Sequence, residues 1–317
     1  MKKLLIVGML ISGICGNSIP PIAQPVAAGT LSQKSSATVT SSKLQVLNLG
    51  AEPRQKLRFN PAVNSKQTMI MSMDMSIDMK IGESSMPKIP IPKMVMKLDL
   101  NVKKVDPSGD IHYSFAYTDI KTIPTKDTPP EMIEAIQKGL KTLLGIKGDI
   151  VVSNSGEVKS KKLFIPKNVD PQMKSTLEQF DRSIDQLSNK FPQELVGLGA
   201  KWRTDNALQA NGIKLNQSAT YEIVKIDATA MTIKTQVTQT SPPQDMVVPN
   251  IGKAKARLLS LNSNGEGSYV VRFDSLLPIT GNLDLKTDSQ MSIQSSAKEE
   301  PINVVSKIGI NMNFSNK

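Results

Sequence analysis

The sequence predicts a mainly β (α+β) fold: one long, curved antiparallel sheet with two amphipathic helices packed on one of its faces. Three observations predict it. Apolar residues recur at every second position through most of the chain after residue 56. Turn-forming residues separate many of these alternating runs. Two segments only, 129–147 and 170–190, carry apolar residues at three- and four-residue spacing instead. Strict alternation marks strands with one wet face, and the other spacing marks helices with one apolar stripe.

The chain opens as an export signal. Lys2 and Lys3 form a positive start, residues 4–14 a short apolar run, and Gly16 and Ser18 supply small residues for cleavage, so 1–18 is expected to be a secretory signal peptide. The apolar run is too short to span a bilayer. A second cleavage point lies after Ala28. Cys15 stands where a lipoprotein cysteine would, but a bulky Ile14 precedes it and disfavours a lipid anchor there. Residues 19–55 are Ser-, Thr- and Pro-rich and are expected to form a flexible leader. The rest, 56–317, is expected to be a single β-rich domain, exported to the periplasm or the extracellular space. Its mature part has no uncharged apolar run long enough for a transmembrane segment.

Within that domain the alternating runs are 69–81, 94–102, 111–120, 150–153, 157–164, 219–226, 230–238, 256–261, 269–273, 282–287, 290–295 and 304–314. Asp-Pro-Ser-Gly at 106–109, Asn-Ser-Gly at 154–156 and Asn-Ser-Asn-Gly at 262–265 read as turns. Such short links join neighbouring antiparallel strands. The first helix follows Thr128-Pro-Pro-Glu131, a capping-box pattern, and aligns Met132, Ile136, Leu140, Leu143 and Leu144. The second follows Asp170-Pro171 and aligns Met173, Leu177, Phe180, Ile184, Leu187 and Phe191. Stretches 94–120 and 255–279 share a hairpin-like layout. Two similar halves, 56–165 and 195–317, joined by the helix at 170–190, and chance likeness between two hairpins are both open at this point.

Composition narrows function. The chain is 39% hydrophobic and 21% charged, with 4% aromatic residues and 16 Met. Its formal charge of +11 favours an anionic partner such as an envelope surface. The lysines are dispersed, densest at Lys159, Lys161 and Lys162, with no basic stripe interleaved with aromatics, so no nucleic-acid partner is expected. Cys15 and His112 are the lone cysteine and histidine. They leave no intrachain disulfide, no Cys/His zinc site and no triad that omits His112.

Candidate chemistry is sparse. Asp74 and Asp78 share a strand face about 13–14 Å apart, beyond the separation of a glycosidase pair. Ser85-Met-Pro-Lys88 has a Ser-x-x-Lys spacing, but Pro87, Pro90 and Pro92 forbid the helix that motif opens. Asp106, Ser108 and Asp110 could offer oxygens to calcium, yet the β-turn explains them. No phosphate-binding glycine loop or nucleophile elbow is present. No catalytic residue, cofactor or metal is therefore expected, and the chain is not read as an enzyme.

The methionines are the remaining signal. In 69–81, MIMSMDMSIDMKI, five methionines fall on one strand face. Thioethers bind Cu(I), but methionines two apart on a strand are about 6.5–7 Å apart and do not converge on one ion. Two readings stay open: a packed core under the helices, or a plastic apolar cavity. In the second, Met71, Met73, Met75, Met79, Met94 and Met96 are the candidate ligand-binding face, and the ligand is hydrophobic or lipid-like.

LRF at 57–59, the Met-rich strand after it, SNSGEV at 153–158, FPQELVGLGAKW at 191–202 and GEGSYVVRFDSLLP at 265–278 together resemble an uncharacterised family of exported bacterial β-rich proteins, a domain of unknown function. The resemblance spans roughly 55–315 and implies export and a β-rich fold, with no activity. At the level of architecture alone, a curved sheet covered by helices is similar to the periplasmic lipoprotein carriers, which hold acyl chains between sheet and helices. The expected function is thus non-catalytic: binding a hydrophobic or lipid-like ligand or a cell-envelope partner. A structural or adhesive envelope protein with a filled core is the alternative, and a hydrolase of unknown substrate comes third.

Overall fold

The computed structural model describes residues 43–141, 143–144, 146–164, 190–210, 213–246, 254–294 and 300–316. Its strands in chain order are β1 Lys43–Asn48, β2 Lys66–Ile81, β3 Ser84–Ser85, β4 Lys93–Val105, β5 Ile111–Ile123, β6 Lys147–Val152 and β7 Val158–Phe164, then β8 Lys201–Ala210, β9 Ile213–Ile226, β10 Ala230–Ser241, β11 Gln244–Met246, β12 Lys255–Arg272, β13 Thr280–Gln294 and β14 Ile302–Asn316. One helix, α1 Pro130–Lys141, lies between β5 and β6. All strands join one antiparallel sheet in the order β1-β8-β9-β10-β12-β13-β14-β2-β4-β5-β6-β7, with β11 beside β12 and β3 beside β2. The seam between the two stretches of chain is the long β14–β2 ladder, which puts the methionine strand in mid-sheet.

The sheet is open, with β1 and β7 as its edges, and it is strongly curled. The Phe59 N–H donates to the Asn154 carbonyl in the β6–β7 turn (2.7 Å), and the Asn60 N–H donates to the Phe273 carbonyl in the β12–β13 turn (2.6 Å). Those turns are six strand spacings apart, roughly 29 Å on a flat sheet. Successive residues lie only ~3.8 Å apart, so the two carbonyls sit within about 9 Å of each other. Only a curled sheet allows that. Gly265, Gly267 and Gly281 show how the curl is built. A Cβ on Gly267 would fall onto the Asn282 carbonyl, and one on Gly281 would meet Phe314 and Tyr269 at 2.5 Å. Irregular register in β4–β5, β9–β10 and β12–β13 adds twist.

A strap of chain closes one end of the curl. Gln55 bridges Val196, Ala51 N–H donates to the Leu198 carbonyl, and Phe191 N–H donates to the Ser155 carbonyl. Arg58 reaches the carbonyls of Leu57 and Pro192 and the Gln193 side chain. Gln67 Oε1 accepts from Ser275 Oγ (3.1 Å) and from the Leu276 and Leu277 N–H groups (3.0 Å each). Phe59 and Phe191 pack ring to ring at 4.7 Å beneath the strap.

Several expectations need correction. Among the described residues there is one helix, shorter than the expected 129–147, and the segment expected as the second helix, 170–190, lies outside them except for its last residue. Leu140 in the helix and Leu143 just past its end are buried, but Leu144 is exposed. Thr128 does not close a capping box: its hydroxyl accepts from the Thr125 N–H, within the turn before the helix. Residues 43–55, expected in the leader, form β1 and the start of the strap. Residues 255–272, expected as a hairpin, form one continuous strand. Ladders on both sides, with β10 and β13, run straight through Asn-Ser-Asn-Gly and override its turn preference. The expected strands 282–287 and 290–295 likewise merge into β13. The turns at 106–110 and 153–157 form as expected, with Gly109 and Gly156 in the left-handed region (φ 87° and 89°).

Candidate functional site

Pairing register fixes which side chains share the inner face of the curl. Met71 stands opposite Met96 and Phe314, and Met73 opposite Met94 and Met312. Met75 faces Ile310, and Met79 faces Ser306. Met71, Met73, Met79, Met94 and Met96 are buried, with Met73 only 2% exposed, and Met75 is half-buried. The opposite positions of β2 turn outward: Asp74, Ser76 and Asp78 are exposed, and Asp74 pairs with Lys93 at 3.0 Å. The six methionines expected on one face thus do share it, and that face points inward. The sheet's glycines, which carry no Cβ, and the long, flexible thioethers together let it pack along a tight curve.

The inner face is also free of charge. At the paired inward positions from β1 across to β6, the side chains are apolar, aromatic, hydroxyl or amide. Its phenols are neutral. Burial pushes Tyr117 up to about 12, and Tyr221 up to about 12 despite a hydrogen bond with Thr204. Burial also raises Tyr113 and Tyr269. Trp202 stacks on Tyr221 at 5.4 Å, and Tyr269 tilts against Phe314 at 6.5 Å. Such a face can solvate an uncharged, largely apolar molecule.

A polar ladder crosses this face, and the sequence did not reveal it. Asn206, Gln217, Gln239, Ser263 and Thr287 pair directly with one another across β8, β9, β10, β12 and β13. Gln239 Nε2 donates to Gln217 Oε1 at 2.6 Å, and the Ser263 and Thr287 hydroxyls bond at 2.7 Å. One row further, Ser289 and Ser306 bond at 2.7 Å. The available signal was polar residues at inward positions of alternating runs, but Ser263 lay inside an apparent turn.

His112 Nε2 bonds Asp106 Oδ2 at 2.6 Å, and Lys104 pairs with the other Asp106 oxygen at 2.6 Å. The Lys104 and His112 bonds hold the Asp106 carboxyl below its ordinary range. This trio ties a β-turn together. Ser85 sits in β3 on an exposed edge, without a helix behind it. Among the described residues, no group of three His, Cys, Asp or Glu side chains is placed to hold a metal. The lysine cluster lies on edge strand β7, where charge discourages edge-to-edge pairing, and Lys162 stands 5.4 Å over the Phe164 ring. On the outer face, a groove of about 520 Å3 runs between the row Lys66, Asn101, Ser114, Asp149 and the row Thr68, Asp99, Ala116, Lys147. It is separate from the methionine face.

No family model matches the chain, and no curated protein matches it. Among solved structures, the chain is similar to one described as "Lipid-protein interactions in lipovitellin", with 9% sequence identity and a TM-score of 0.36. That likeness covers 80% of this chain and 25% of the other, so the chain spans about a quarter of that structure's length. At this TM-score the likeness supports no inference about site or ligand. Among the described residues, no helix is long and apolar enough to cross a membrane.

Proposed function

We propose that this protein is a non-catalytic, exported binding protein that takes a hydrophobic, lipid-like molecule against the inner face of its curled sheet. The observation that carries this reading is the uncharged, methionine-rich inner face of an open sheet, shared by β14, β2 and β4. Methionine side chains re-pack at little cost, so such a face can part around a guest and close again. Export rests on Lys2, Lys3 and the apolar run after them. A basic balance of +11 suits an anionic envelope surface as the setting.

A second reading has its own observation. Met71, Met73 and Met96 are almost fully buried, as in a filled core. In that case the protein is a structural or adhesive envelope component. Native mass spectrometry of protein purified gently from the cells that make it separates the two. The binding reading expects an added small-molecule mass that leaves on unfolding, on a polypeptide beginning between residues 17 and 29. A bare polypeptide that also takes up no apolar fluorescent dye supports the filled core. A chain still beginning at Met1 contradicts export.

A further inference from the structure

We propose that the polar ladder on the inner face seats the polar group of the ligand, and that this group is an uncharged ester, which makes the ligand a neutral acyl ester. The inference rests on the binding reading above. Two hydroxyls bonded to each other use one hydrogen and leave the other without an acceptor. The Ser263–Thr287 pair leaves one, and the Ser289–Ser306 pair leaves another. Thr235 adds a third: it is 2% exposed, it faces inward between Tyr221 and Gly267, and its hydroxyl has no partner. Buried donors normally find acceptors, so three on one face call for a guest that supplies acceptor oxygens.

The charge of the face selects among such guests. A carboxylate or phosphate drawn in would lose its water and meet no Lys, Arg or His at the paired inward positions from β1 to β6. Ester and ether oxygens accept hydrogen bonds without that penalty. The register also provides for the acyl chain. Thr287 is in line with Ile308 and Ile77, and Ser306 with Met79, so the ladder runs directly onto the aliphatic and methionine face. A packed core gains nothing from these hydroxyls, since a bonded pair can be replaced by apolar groups of similar shape at little or no cost.

The test uses three pyrene-labelled probes of one chain length: a methyl ester, the free carboxylate and a plain hydrocarbon. They are titrated into the full mature chain and into the Ser263→Ala/Thr287→Val double variant. The intact protein is expected to bind the ester about tenfold tighter than either other probe. In the double variant, ester and hydrocarbon are expected to bind equally. Equal binding of ester and hydrocarbon by the intact protein overturns the inference while the binding reading stands, as does a preference that survives in the variant. Tightest binding of the carboxylate overturns the neutral class. Binding of none of the probes overturns the binding reading, and the inference with it. A denaturant melt establishes that the double variant is folded. If it is not, Thr235→Val, which removes a hydroxyl with no partner, takes its place and is expected to lower the ester preference.

Discussion

Met73→Asp is expected to prevent the protein from folding cooperatively, whereas Met73→Ala should lower its stability by about 2–5 kcal/mol. Met73 is 2% exposed at the seam of the sheet, between Met94 on β4 and Met312 on β14. Truncation to Ala removes the thioether and leaves a void that flexible neighbours refill only in part. A carboxylate adds a charge on a face that holds no cation in its paired rows, and burying it unpaired costs far more than the lost packing. Asp74, one residue on, is exposed and pairs with Lys93, so Asp74→Ala should change stability by less than about 1 kcal/mol. Urea melts of the three variants read the contrast. Normal stability in Met73→Asp would show that the methionine face is open to water.

Gln67→Leu is the second change with a large expected effect. Its Oε1 gathers the Ser275 hydroxyl and the Leu276 and Leu277 amides, which ties the start of β2 to the β12–β13 turn across the closed end of the curl. Leucine fits the space but leaves the two amide hydrogens without that acceptor, while the Ser275 hydroxyl keeps the Leu277 carbonyl at 2.6 Å. Each buried orphan costs about 1–3 kcal/mol, so a loss of about 2–5 kcal/mol is expected. Gln67→Glu keeps an accepting oxygen for the two amides and replaces an Nε2 that has no partner, so it should lose less than Leu. Denaturant midpoints give the order, and amide exchange at Leu276 and Leu277 should quicken in the leucine variant. Equal midpoints for wild type and Gln67→Leu would mean that the closed end is held by other contacts.

The long alternating runs told most of the fold. MIMSMDMSIDMKI gives its inward and outward residues by period alone, because only a strand repeats at two. Elements that the sequence hid are those where local and global preferences diverge. Trp202, Thr204 and Asn206 of β8 alternate in position but not in polarity, and only Asn206, opposite Gln217, belongs to the polar ladder. Asn-Ser-Asn-Gly at 262–265 has every local mark of a turn, yet it runs straight with a ladder on each side. Gly267 is there because the Asn282 carbonyl occupies the place of a Cβ, and no run of neighbouring residues encodes that crowding. The closing strap depends on contacts such as Gln67 to Leu277, more than two hundred residues apart, which periodicity does not reach. The site followed the same division. The candidate methionines were legible because they alternate along two strands, β2 and β4, while Gln217, Gln239, Ser263 and Thr287 meet only once four strands are paired.

The central claim is that the inner methionine face receives an apolar guest. Labelling the methionine methyl groups of the mature protein with carbon-13, and following their NMR signals as a neutral acyl ester is added, tests it most directly. Assignment by single Met→Leu variants identifies each signal. The signals of Met71, Met73, Met94 and Met96 are expected to shift together and saturably, while Met132 on α1 stays in place. Signals from those four that do not move at saturating ester, or that move no more than Met132, would contradict the claim.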